Sequence, residues 1–191
     1  MSTPLVLLYL QHVLKQFHQC RPDVRTDIEC MDFKRILNMF LDNKLDILFY
    51  YRENFPPEYT VKYQEIKKDS VQCLVPADHP LAHQTSVTPE DLKNCTVIAC
   101  SPLDAPLSVS SFQERILERH DPEKIRYCSS IEAAHCLVAA GMGVALFPGM
   151  LCRGAGEYVS VPVERSEEMS FGIFFHERNS SASLRSFLKQ I

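Results

Sequence analysis

Residues 129–148, SSIEAAHCLVAAGMGVALFP, leave this chain little choice of local structure. Ser129 or Ser130 can cap the unpaired N–H groups that open a helix, and Glu132 then falls in the first turn, where negative charge is favoured. Ile131, Ala134, Leu137 and Val138 share one helical face. Gly141 and Gly143 flank Met142, so the helix can end through a left-handed residue and turn sharply. Val144 to Phe147 is a short apolar run suited to a buried strand, and Pro148 ends it. A capped helix, a glycine stop and a buried strand in so few residues point to an α/β fold.

Composition narrows the functional classes. With 191 residues the chain can build one substantial core or two smaller lobes. Its formal net charge of −4 argues against a surface made to grip nucleic acid. The densest basic pair, Lys67-Lys68, is followed at once by Asp69. No segment is long and apolar enough to span a membrane. The apolar start, MSTPLVLLYLQHVLK, lacks the basic region and small-residue cleavage site of a secretory signal, so a cytoplasmic location is expected. Eight cysteines, at 20, 30, 73, 95, 100, 128, 136 and 152, include no CxxC pair. Most sit in apolar runs, where they read as buried free thiols.

Periodicity orders the rest. Ser2, Thr3 and Pro4 start a first helix, with Leu7, Leu10, Val13, Leu14 and Phe17 in one stripe. Val24 to Cys30 alternates as a strand does, Asp32 to Leu41 reads as a second helix, and LDILFYY as a strand buried on both faces. Strand, helix and strand with short links imply a right-handed parallel crossover. Val61 to Ile66, Val71 to Val75, Thr96 to Cys100, Tyr158 to Val163 and Ser170 to Phe175 are further strands. Helices are expected at Thr88-Pro89-Glu90-Asp91, around Phe112, Ile116 and Leu117, and at Ser181 to Ile191. Two α/β units of similar size result.

Five landmarks then fall in order: FHQCRPDV, LDNKLD, ADHPLA, SVTPEDLKN and the block at 129–148. Together they resemble the effector-binding domain of LysR-type transcriptional regulators over essentially the whole chain. Asn43 stands where that family has glycine, and Asn also tolerates the left-handed conformation. The resemblance implies a two-lobed, type 2 periplasmic-binding-protein-like fold, each lobe a mixed sheet flanked by helices. Residues 1–75 and 165–191 are expected to form lobe I and 76–164 lobe II, with the effector in a cleft between them. Set against the family pattern, the sequence begins just after the first strand, so that strand and the DNA-binding winged helix are expected to be absent from it.

In that family the effector meets strand ends and helix N-termini, which offer unpaired N–H groups and partial positive charge. Ser2 and Thr3 head the first helix, and Asp32 and Phe33 the second. Cys100, Ser101 and Ser108 follow a strand, and Ser129 and Ser130 head the helix of the opening block. The hydroxyls suit a small organic acid or amino acid, while the Asp32 carboxylate suits an amine or hydroxyl. Each serine is also an ordinary helix cap.

Catalysis finds no support: there is no GxSxG, GxGxxG or P-loop. His135 and Cys136 are adjacent on a helix and face apart, and Cys95, Cys100 and Cys128 lack zinc-ligand spacing. No cofactor or metal is expected. One branch of the family senses peroxide through a cysteine pair, which would fall at 106–115, where this chain has no cysteine. Cys95 and Cys100 remain a weaker redox candidate. The sequence therefore reads as the ligand-sensing part of a transcription regulator, a homodimer or homotetramer that meets DNA only through a separate N-terminal domain. The alternatives are a solute-binding carrier with no DNA role and a module serving mainly for dimerisation.

Overall fold

The structure, a computed structural model, describes residues 5–101, 105–152, 156–179 and 181–191. It divides into two compact units: Met1–Lys68 with Ser170–Ile191, and Asp69–Met169. Both divisions fall inside continuous strands, whereas the sequence places the crossings near 74–77 and 162–166. Ser2, Thr3 and Pro4 lie outside the described residues.

In the first unit, α1 (Leu5–Cys20) buries Val6, Leu10 and Phe17. Phe17 meets Phe187 of α6 (Ala182–Leu188) edge to face at 5.2 Å. Helix α2 (Phe33–Leu41) starts at Asp32, whose Oδ1 accepts from the Arg35 N–H at 2.8 Å. It buries Phe33, Ile36 and Phe40 at helical spacing. Strand β1 (Leu48–Tyr51) is buried throughout and pairs antiparallel with β7 (Glu168–Phe175), Leu48 opposite Phe174 and Tyr51 opposite Phe171. The two runs expected at 61–66 and 71–75 form one strand, β2 (Lys62–Pro76), whose first half lies on the other side of β7.

The expected strand at Val24 to Cys30 is not formed. The segment makes no ladder, and Ile28 stands 45% exposed. Alternation marks a face, but a strand also needs a neighbour for its backbone groups. The parallel crossover into β1 fails with it, since β1 takes the antiparallel partner β7 instead.

The second unit is built on a sheet of order β6-β2-β5-β3-β4. Its members are the second half of β2, β3 (Val97–Cys100), β4 (Ile125–Cys128), β5 (Val144–Pro148) and β6 (Tyr158–Pro162). Strands β3 and β5 are buried at every position, as parallel strands covered on both faces are. β3 runs parallel to β4 on one side and to β5 on the other. The short helix α3 (Pro89–Leu92) carries a capping box between Thr88 and Asp91. Helix α4 (Leu107–Leu117) buries Val109, Phe112 and Ile116. Helix α5 (Ile131–Ala139) is capped by Ser130, whose Oγ accepts from the Ala133 N–H at 3.1 Å. Its buried face is Ile131, Ala134, His135 and Val138; Leu137, expected there, is only half-buried.

Two details hold this unit together. Asp69 is buried and accepts from the N–H groups of Met150 and Ser70, both at 3.0 Å, which fixes the turn after β5. Gly143 has φ +154°, and a Cβ there would sit 2.5 Å from the Thr96 carbonyl oxygen, the acceptor for the Val144 N–H at 2.9 Å. At Gly141, with φ +72°, a Cβ would meet open space.

The cysteines divide by environment. Cys73, Cys100 and Cys152 are buried, but Cys20 and Cys136 are exposed and the others intermediate, so burial does not describe the set. Desolvation pushes the Cys73 and Cys152 thiols far up, which keeps them protonated and inert.

Two outcomes are expected. Gly143→Ala should cost about 2 kcal/mol or more, from strain and the clash with the Thr96 carbonyl, against about 1 kcal/mol for Gly141→Ala, which meets only backbone strain; urea denaturation compares them. His135, buried with Nδ1 2.8 Å from the Tyr158 hydroxyl, has its pKa lowered by desolvation. The unfolded chain therefore takes up this proton first as pH falls. Stability should be complete above about pH 6.5, the unfolded value, and decline as pH falls from there toward the lower folded value. His135→Gln should flatten that slope in pH-dependent urea titrations.

Candidate functional site

The expected site residues do not share one environment. In the first unit, the Asp32 carboxylate is half-buried and occupied as the cap of α2. The Phe33 ring is buried against Tyr50 at 5.1 Å, and its carbonyl accepts from the Tyr50 hydroxyl at 3.2 Å. Burial raises the Tyr50 pKa to about 12, and the nearby Asp32 charge adds to this. The Phe33 side chain is thus part of the core. Ser2 and Thr3 fall outside the described residues.

The second unit does gather its candidates. Parallel β3 and β4 run in register, with Cys100 opposite Cys128, so both strands end at the same edge of the sheet. Ser101 follows one strand, and Ser129 and Ser130 follow the other. Ser129 is exposed, while Ser101 and Ser130 are half-buried. Helix α5 begins here, so the positive end of its dipole lies against the strand ends. Ser108 lies in the first turn of α4 and is buried. From the same helix the buried Gln113 donates from Nε2 to the Cys100 carbonyl at 3.0 Å, anchoring the end of β3. Strand ends plus a helix N-terminus form an arrangement suited to a small polar ligand.

Two residues that matter at this edge were not found from the sequence. Gln113 looks like any polar residue of an amphipathic helix. Cys128 belongs to β4, whose sequence IRYC is short and, with Tyr127 76% exposed, carries no apolar run. Its partnership with Cys100 needs the β3–β4 register. The two sulfurs are 3.2 Å apart. Hydrogen bonding from the Cys100 thiol, and from the backbone at Ser130, lowers the Cys128 pKa to about 7 against the opposing effect of burial. Cys95, the other redox candidate, precedes β3. Its thiol lies 3.6 Å from the Asp91 carbonyl and 3.9 Å from His79 Nε2. Strand rise puts Cys95 and Cys100 on the order of 15 Å apart along the chain, so they do not pair.

A groove of about 580 Å³ lies in the first unit. Leu10, Phe17, Leu184 and Phe187 contribute apolar wall, and the segment Val24–Glu29 forms one rim. Among the described residues, none of the expected effector residues lines it. Among the described residues no group of three or more His, Cys, Asp or Glu could hold a metal ion. No described helix is long and apolar enough to cross a membrane.

Comparison with known proteins agrees with this architecture. The LysR substrate binding domain model matches residues 1–191. The Hca operon transcriptional activator HcaR of Escherichia coli K12 is 24% identical over 159 residues, covering 81% of this chain and 52% of HcaR. The uncharacterized HTH-type transcriptional regulator YwqM of Bacillus subtilis 168 is 27% identical over 146 residues, covering 74% of this chain and 47% of YwqM. The chain thus spans about half the length of these curated relatives. Among solved structures, the regulatory domain of Synechocystis PCC6803 CcmR in complex with 2-PG superposes with a TM-score of 0.78 at 19% identity, covering 97% of this chain and 90% of that one. The BenM effector binding domain with its effector benzoate gives 0.76 at 20% identity, covering 99% and 86%. These likenesses establish the type 2 periplasmic-binding-protein-like α/β fold. With a family model matched from end to end, the chain belongs to the LysR substrate-binding domain family.

Proposed function

We propose that this chain is the effector-sensing part of a LysR-type transcription regulator, and that its second unit binds a small organic anion at the C-terminal edge of β3 and β4. The observation that carries the reading is the meeting of those strand ends, with Ser101, Ser129 and Ser130, at the N-terminus of α5. N–H donors and hydroxyls orient a carboxylate without needing a buried cation. Glu132 in the first turn of α5 is exposed, so water screens its repulsion of an anion. The BenM domain carries benzoate and the CcmR domain 2-PG, which supports a small-molecule effector. HcaR and YwqM are named as regulators, which supports a sensing role over catalysis or solute carriage.

The regulator works in the cytoplasm as a homodimer or homotetramer, and its DNA contact belongs to a separate domain. The effector acts by preferring one arrangement of the protein; moving a 1:99 equilibrium to 99:1 takes about 5.5 kcal/mol of preference.

A thermal-shift screen against small carboxylates, benzoate included, tests the site. A ligand at a hundred times its Kd should stabilise the protein by about 2.7 kcal/mol. Ser130→Ala should by itself cost about 1 kcal/mol through the lost cap, and the ligand-free Ser101→Ala protein supplies its own baseline. Both should reduce the ligand-induced shift well beyond that baseline. An unchanged shift in both variants would remove this edge from the effector site.

A further inference from the structure

Cys100 and Cys128 end adjacent parallel strands at the same register, and the proposed anion site, built on Ser101, Ser129, Ser130 and the start of α5, uses neither sulfur. Their sulfurs are in contact at 3.2 Å. Neighbouring strands lie about 4.8 Å apart, a spacing within the Cα range that a disulfide bridges. The two thiols also differ. Cys100 is 4% exposed, while Cys128 is only half-buried. The Cys128 thiol lies 3.5 Å from the Ser130 carbonyl and 3.6 Å from that of Ala99. It sits two residues before the N-cap of α5, where the helix dipole favours a thiolate. The lowered Cys128 pKa, about 7, agrees with that placement. By contrast, Cys73 and Cys152 are buried with raised pKa values, and Cys20 and Cys136 are exposed with no sulfur partner among the described contacts.

We propose that Cys100 and Cys128 form a reversible dithiol–disulfide site at this edge of the second unit, with small organic disulfides as its oxidant. The Cys128 thiolate attacks one sulfur of the oxidant, breaks its S–S bond and releases one thiolate, leaving a mixed disulfide on Cys128. The Cys100 thiol gives up its proton to that thiolate or to water. Its sulfur then attacks Cys128 Sγ, forming the Cys100–Cys128 bond and releasing the second thiolate. The protein loses two electrons and two protons, and the disulfide is reduced to two thiols. Cys100, shielded from solvent, acts only after Cys128 has reacted.

The test uses bis(2-hydroxyethyl) disulfide on the folded chain, followed by alkylation of the remaining thiols and fragment-resolved peptide mapping, with no effector present. In the wild type the Cys100 and Cys128 thiols should both be lost with no adduct left on either, replaced by a Cys100–Cys128 link that dithiothreitol reverses, while the exposed Cys20 and Cys136 take up at most simple adducts. Cys100→Ser should instead accumulate the mixed disulfide on Cys128, and Cys128→Ser should leave Cys100 reduced. A wild-type protein that keeps the adduct on Cys128, links a different pair, or reacts only at Cys20 and Cys136 would overturn the proposal. The wild-type map decides the matter even where a serine variant fails to fold.

Discussion

The second unit depends on β3 being held from both sides by parallel neighbours. Val97 lies opposite Ile125 of β4 and opposite Val144 of β5, and the Thr96 carbonyl takes the Val144 N–H just before the pairing begins. Gly143 permits that approach because any side chain there would collide with the same carbonyl. Once β3 is fixed, the ends of β3 and β4 coincide, and the short link through Ser129 and Ser130 must start α5 beside them. The candidate edge follows from packing constraints set several residues away.

The same geometry separates inert groups from reactive ones. Cys73 and Cys152 sit inside the sheet core, where desolvation favours the neutral thiol. Cys128 is only a few residues from buried structure, yet it emerges at a helix N-terminus and touches a second thiol. Hydroxyls, helix N–H groups and a thiol pair are therefore concentrated where the strands stop. Open α/β sheets favour such edges because side chains there are freed from the requirement to pack on both faces.

Some of this was legible in the sequence, for identifiable reasons. The α5–β5 block declared itself because its cap, its glycine stop and its apolar run are all local signals. The helices expected at Thr88–Asp91 and from Ser181 were readable from local signals too, and the structure adds a capping box at the first and a serine cap at the second. The segment Val24–Cys30 misled because alternation is visible in a sequence and a missing partner strand is not. Strand β4 was invisible because an exposed edge strand needs no apolar run. Of the expected site, Cys100, Ser101, Ser129 and Ser130 share one edge, Ser108 is buried in α4, and Phe33 is core. Cys128 and Gln113 join the edge only through strand register and a helix-to-strand hydrogen bond, neither of which composition encodes.

The account rests on the edge formed by Ser101 and the start of α5 being where a small anion binds. Backbone amide NMR during a benzoate titration addresses this most directly, because it reads each N–H separately and tolerates weak binding. The account predicts the largest saturable shifts at Ser101 and at Ile131 to Ala133. Saturable shifts confined to Val24–Glu29 and the groove of the first unit, or none at α5, would contradict it.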